Sequence, residues 1–303
     1  MRMTTRFLIS AGAAFLLATV PFVSREAFAA DAPAAASTPR VLSIGGDITE
    51  ILYDLGQQDK IVAVDTTSQY PADALKDKKS VGYMRALSAE GVLSVNPTLI
   101  IASDEAGPPE VVNALKSSGV RYITIDDKPT ADGVSAKVRH VGNLLGADDA
   151  AQALAAKIES EFATLKAARK EIKTRKKVLF ILAIQNGRAT VAGAGTAADS
   201  IMQLAGADNA AVGVSGYKPV SDEQLTEFAP DAVIVMRRGE SDQHKAGQAL
   251  TLAGLRQSPA AKTDKLIEMD GLYLLGFGPR APSAARDLMK SIYPEAGQAA
   301  AMP

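Results

Sequence analysis

Short β-branched runs alternating with amphipathic stretches, one long segment without Pro or Gly, and a motif that occurs twice at the same spacing predict an α/β protein. The form they predict is two similar lobes joined by a single long helix. The chain has 303 residues, 47% of them hydrophobic, which is enough for two cores of ordinary size. Lys and Arg number 33 against 34 Asp and Glu, so no overall field gathers nucleic acid or an anionic membrane. Any basic site has to be local.

In chain order, residues 1–29 read as an export signal. Arg2 and Arg6 make a basic start, residues 7–23 are apolar, and Ala27-Phe28-Ala29 is a small-x-small cleavage site. Pro21 interrupts a stretch already short for a membrane span, so no stable insertion is expected and the mature chain begins near Ala30 in the periplasm. With no cysteine there is no disulfide, no thiolate metal site and no lipobox for an acyl anchor, which predicts a freely diffusing monomer. Residues 30–39 are expected to be a disordered leader.

Residues 40–146 form the first α/β lobe, with strands expected at 41–44, 61–64, 99–102 and 122–125. The segment 147–174 is rich in Ala, Glu, Lys and Leu and places Leu154, Ile158, Phe162 and Leu165 at helical spacing. It predicts the connecting helix, ~40 Å long at 1.5 Å per residue. Residues 175–303 form the second lobe, with strands expected at 178–183, 233–236 and 272–275.

The lobes repeat one another. Leu87-Ser88-Ala89-Glu90 leads to Asn96-Pro97-Thr98-Leu99-Ile100-Ile101, and Val220-Ser221-Asp222-Glu223 leads to Ala229-Pro230-Asp231-Ala232-Val233-Ile234. Ser88 matches Ser221, Glu90 matches Glu223 and Pro97 matches Pro230 without a gap, so each unit reads as a capped helix, a proline stop and a buried strand.

Catalytic machinery is sparse. The absence of cysteine excludes a thiolate nucleophile, and His140 and His244 alone do not make a multi-histidine metal centre. Neither a G-x-S-x-G elbow nor a Walker-type loop occurs, and Gly193-Ala194-Gly195 lacks the third glycine of a dinucleotide fingerprint. His140 reads as a helix-surface or core residue. His244 reads as a solvated loop residue within reach of a cleft.

A tyrosine loop is more informative. Val64-Asp65-Thr66-Thr67-Ser68-Gln69-Tyr70-Pro71 places Tyr70 after the second strand, the sheet edge at which α/β proteins bind ligands. With it come Val81-Gly82-Tyr83-Met84-Arg85-Ala86-Leu87-Ser88, Val191-Ala192-Gly193-Ala194-Gly195-Thr196, Gly216-Tyr217-Lys218-Pro219 and Leu274-Leu275-Gly276-Phe277-Gly278-Pro279-Arg280. In this order, from about residue 40 to residue 294, the set resembles the periplasmic haemin-binding proteins of bacterial haem importers. These belong to the helical-backbone class of binding proteins, which also serves cobalamin and siderophore uptake. The resemblance implies two Rossmann-like lobes with a ligand cleft between them, no enzymatic activity, and haem b as a transported ligand whose iron takes Tyr70 as an axial ligand. A stiff connector limits closure, so the cleft should be largely preformed. The chemistry agrees, because ferric iron is a hard cation and a phenolate is a hard oxygen donor. An unperturbed phenol titrates near ~10, so binding displaces its proton and a nearby cation assists.

The same resemblance allocates further roles. Relatives can carry a basic residue two positions after the tyrosine; here Ala72 stands there, leaving Arg85 and then Lys76 as candidates for that cation. Some relatives use a histidine of the second lobe, whereas the matching Ala183-Ile184-Gln185-Asn186-Gly187 has none, which favours one haem over two. Arg85, Arg237, Arg238 and Arg280 are candidates for the haem propionates or for ligand support, against the alternative of solvated loop charges. Tyr83, Met84, Tyr217 and Phe277 are candidate walls for the porphyrin faces, against the alternative of ordinary core. Glu50 and Asp199, near the starts of corresponding helices, are candidates for docking on the permease of an ABC importer with its ATPase subunits, against the alternative of acids complementing a helix dipole. The competing readings are a ferric siderophore or cobalamin binder on the same scaffold and, more distantly, an exported α/β hydrolase.

Overall fold

The structure, a computed structural model, describes residues 38–237 and 247–294; the residues read as an export signal and most of those read as a leader lie outside them. The first lobe runs β1 (Val41–Ile44), α1 (Gly46–Asp54), β2 (Ile61–Val64), α2 (Ala72–Asp77), β3 (Lys79–Ser80), α3 (Ala89–Leu93), β4 (Leu99–Ser103), α4 (Pro109–Lys116), β5 (Arg121–Ile125) and α5 (Ala131–Leu144). Its sheet is parallel throughout, in the order β3-β2-β1-β4-β5. Side chains alternate between two cores: Leu42, Ile44, Ile100 and Ala102 face one, and Val41, Leu99 and Ile101 face the other. Strands buried on both faces are what a helix-covered parallel sheet requires, hence the continuous apolar runs.

Beneath this lobe Lys137 of α5 is fully buried and pairs with Asp47 of α1 and with Asp127. Burial alone would drive its ammonium down, but the two carboxylates outweigh that and hold it above the usual lysine range.

The connector is α6 (Asp148–Arg169), 22 residues and about 33 Å long. Ala151, Ala155, Ile158, Phe162 and Leu165 form its buried stripe. That stripe belongs to one apolar core with Val41 and Ile101 of the first lobe and Phe180 and Ile234 of the second. At Gly142 a Cβ would stand 2.2 Å from that of Ala151, so glycine is what lets α5 lie directly on α6. The helix ends short of the expected residue 174. Glu171 and Ile172 donate to carbonyls three residues back, which tightens and closes the last turn. Arg169 and Arg175 donate to Gln203 and Ala207 carbonyls, fastening the exit to the second lobe.

That lobe runs β6 (Lys177–Gln185), β7 (Arg188–Ala192), α7 (Ala197–Leu204), β8 (Asp208–Asn209), β9 (Tyr217–Pro219), α8 (Asp222–Phe228), β10 (Ala232–Arg237), α9 (Pro259–Lys262), β11 (Leu266–Asp270), α10 (Gly271–Leu275) and α11 (Ala281–Ile292). Its sheet is mixed, in the order β11-β10-β6-β7-β9 with β8 beside β6. β7 is antiparallel to both β6 and β9. For the β6–β7 pair the cause is local: Asn186 and Gly187 take φ of 52° and 74°, the left-handed pair that a two-residue hairpin turn demands.

The strand expected at 272–275 is instead helix α10, and the sheet edge is β11 just before it. The Asp270 side chain accepts from the Tyr273 N–H at 2.9 Å and starts the helix there. A short apolar run fits either state, and the cap decides it.

The repeated motif is real in three dimensions. Ser88 caps α3 by accepting from Gly91 N–H, and Ser221 caps α8 by accepting from Gln224 N–H. Asn96 and Ala229, each directly before the matching proline, both have positive φ, 48° and 41°. A left-handed residue without Gly is uncommon, so its recurrence at equivalent places marks one repeated turn geometry.

Candidate functional site

Tyr70 stands on the loop from β2 to α2, and that loop is tied down by a buried carboxylate. Asp65 is fully buried; its Oδ1 accepts from the Gly45 N–H at 2.9 Å and its Oδ2 from the Thr67 N–H at 2.9 Å. The Thr67 hydroxyl adds a bond to Oδ1. Ser68 is bonded to Thr49 at 2.7 Å, and Thr49 to Ser43 at 2.7 Å, so a buried polar chain runs from β1 through α1 into the loop. Neither Asp65 nor this chain stands out in the sequence, because Ser, Thr and Asp after a strand are ordinary turn residues.

Opposite this loop the second lobe closes in. A Cβ on Gly46 would stand 2.2 Å from the Thr67 carbonyl and 2.8 Å from Leu272 Cδ1, so glycine lets α1, the tyrosine loop and α10 meet. Gln69 and Tyr70 from the first lobe and Asp270, Leu272, Tyr273 and Arg280 from the second line a cleft of about 280 Å³. Tyr70 is 43% exposed there.

Arg280 bridges the lobes. Its backbone N–H donates to Glu50 Oε1 at 3.0 Å and its Nη2 donates to Oε2 at 2.8 Å. The guanidinium carbon lies 3.5 Å from the centroid of the Tyr70 ring and 5.1 Å from that of Tyr273. Burial pushes the Glu50 carboxyl above its ordinary range while Arg280 pulls it back.

The expected site residues therefore divide. Tyr70 and Arg280 come together, but Arg280 follows a helix instead of the expected strand. Arg85, the first choice for the cation beside Tyr70, donates to the Tyr83 hydroxyl at 2.8 Å and pairs with Glu105 instead. Lys76 sits exposed in the last turn of α2. Tyr83 and Tyr217 are exposed, 44% and 38%, and neither lines the cleft around Tyr70. Burial raises the Tyr217 phenol above its ordinary range.

Met84 and Phe277 are not walls. Met84 is buried in the first lobe's core, and Phe277 is buried in the core shared by both lobes. Arg237 is exposed at the end of β10, in register with Asp270 of the cleft. Arg238 and His244 lie outside the described residues. His140 is on the exposed face of α5.

Glu50 and Asp199 do not present docking carboxylates. Glu50 is 2% exposed and held by Arg280. Asp199 is buried too, with Oδ1 accepting from Asn209 at 3.1 Å and Oδ2 from Gln203 at 3.0 Å. An acid that meets a partner's arginine has to offer its oxygens to solvent, and both acids are already engaged inside the fold.

Two α/β lobes joined by one long helix, with a cleft lined from both sides, are the architecture of a substrate-binding protein. The chain belongs to the periplasmic binding protein family, whose model matches residues 41–272. Among solved structures it is similar to the periplasmic haem-binding protein RhuT from Roseiflexus sp. RS-1 in apo form, with 37% identity and a TM-score of 0.81 over 86% of this chain and 99% of that one. The periplasmic haem-binding protein BhuT in complex with two haems gives 37% identity and a TM-score of 0.79 over 87% and 99%. Sequence relatives include an uncharacterized ABC transporter substrate-binding lipoprotein, YvrC of Bacillus subtilis, 27% identical over 84% of this chain and 80% of that protein. A vitamin B12-binding protein of Pectobacterium atrosepticum is 26% identical over 84% and 88%. The protein is thus a substrate-binding component of ABC import and not an enzyme.

Proposed function

We propose that this protein captures haem in the periplasm through Tyr70 and delivers it to the permease of an ABC importer. The observation that carries the reading is a half-exposed tyrosine at the wall of an interlobe cleft, on a loop fixed by a buried carboxylate. Its phenol is an oxygen donor that haem iron accepts in proteins. The haem-binding neighbours at 37% identity, matched over nearly their whole length, support the same cargo.

The cleft is slightly below the ~300–1,000 Å³ usual for small-molecule sites. A porphyrin held there therefore extends beyond it, where the exposed Tyr83 and Tyr217 would serve as walls and Arg237, in register with Asp270 of the cleft, would serve a propionate. The hairpin tip at Asn186-Gly187 offers no histidine, which favours one haem per chain.

Cobalamin is the second reading, favoured by the vitamin B12-binding relatives. Titration of the purified protein with haemin and, separately, with cyanocobalamin decides between them. The expected result is a ferric tyrosinate-type spectrum saturating at one equivalent, lost in Tyr70→Phe together with about tenfold or more in affinity, ~1.4 kcal/mol. A Tyr70→Phe spectrum identical to the parent's, or tight cobalamin binding without haemin binding, overturns the proposal.

A further inference from the structure

We infer that Arg280 positions the haem-ligating tyrosine from the opposite lobe, and that Glu50 in turn positions Arg280. The inference rests on the haem reading above and assigns the support of its ligand. The two ends of the contact are far apart in the chain: Glu50 and Arg280 are separated by 230 residues.

Three observations converge. First, Arg280 is fixed twice to one carboxylate, by its backbone N–H and by its guanidinium. Second, the guanidinium thus fixed lies at stacking distance, 3.5 Å, over the Tyr70 ring. Tyr273, on its far flank, is itself held by a bond from its hydroxyl to Asp287 at 2.8 Å. Third, Arg280 Nε is buried and has no partner among the described residues. A buried donor without a protein partner calls for a reason, and contacts that fix the pose of the group supply one. The contacts available are the Glu50 carboxylate and the tyrosine faces.

The consequence reaches beyond one side chain. Tyr70 belongs to the first lobe and its support to the second, so any motion that parts the lobes withdraws Arg280 and frees the ligand tyrosine. Ligand grip and lobe contact become one equilibrium.

The test uses the mature protein and the variants Glu50→Gln, Arg280→Lys and Arg280→Ala, with Tyr70→Phe alongside. In the haem-free protein, nitration of Tyr70 by tetranitromethane, mapped by peptide mass spectrometry, should rise in Arg280→Ala and Glu50→Gln. In the haemin titration the same two variants should keep a tyrosinate-type spectrum with shifted bands and lose about tenfold in affinity, the scale of a desolvated cation–aromatic contact. Arg280→Lys should restore only part of it, because an ammonium lacks the planar fork. If Arg280→Ala does not fold, Glu50→Gln and Arg280→Lys carry the test. Parent-like Tyr70 nitration, spectra and affinity in these variants overturn the inference while leaving the haem reading intact. An unchanged Tyr70→Phe spectrum overturns the haem reading itself.

Discussion

The two lobes share one helix–proline–strand unit, yet they differ in what they bury. In the first lobe the buried polar side chains are Ser43, Asp47, Thr49, Glu50, Asp65, Ser68, Ser103, Ser135 and Lys137; in the described part of the second they are Thr196, Asp199 and Ser258. The first lobe's set forms connected networks, one holding the Tyr70 loop and one pinning α5 to α1. Two of the second lobe's three are helix caps. Polar interiors specify geometry when every member is satisfied, and they are costly when one is not. The lobe that carries Tyr70 is thus the one built with that polar interior. The other contributes a mixed sheet, a hairpin and the arginine that crosses the cleft.

This contrast can be broken at its strongest point by Lys137→Met. Removing the ammonium leaves Asp47 and Asp127 facing each other in the interior, and urea unfolding should show a loss of roughly 3–5 kcal/mol. A loss under ~1 kcal/mol would mean that the buried network contributes little to the first lobe.

A smaller change, Asp65→Asn, turns one acceptor oxygen into a donor that faces other donors. It should cost about 1–3 kcal/mol and weaken haemin binding without removing the tyrosinate spectrum, since only the loop's support is altered. Unchanged binding would separate the polar chain from the site.

The smallest effects test what the lobes share. Ser88→Ala and Ser221→Ala each remove a helix cap and should cost about 0.5–2 kcal/mol. The two should cost about the same, because the bond that Gln224 returns goes to the Ser221 backbone N–H, which alanine keeps. A clearly larger thermal shift for Ser221 would show that its hydroxyl also holds the reciprocal bond in place.

Much of the architecture was legible because its signals are local. Ser88, Ser221, Pro97 and Pro230 announce helix starts and stops through their own backbone chemistry, and apolar runs such as 41–44 and 99–102 are buried strands. Asn186-Gly187 is an equally local hairpin signal; reading that segment only for a histidine hid the antiparallel edge of the second sheet. Leu272-Tyr273-Leu274-Leu275 misled because four apolar residues suit a strand or a buried helix, and Asp270, two residues upstream, decided it.

The candidate site was half legible. The sequence by itself determined the α/β lobes, the connecting helix, the duplicated unit and a tyrosine on a ligand-side loop, since each depends on residues near one another in the chain. Only the tertiary structure decided that Met84 and Phe277 are core, that Glu50 is buried, and that Arg280 instead of Arg85 lies over Tyr70. Those outcomes depend on which surfaces meet when two lobes pack on one helix, and no spacing along the chain encodes a contact across 230 residues.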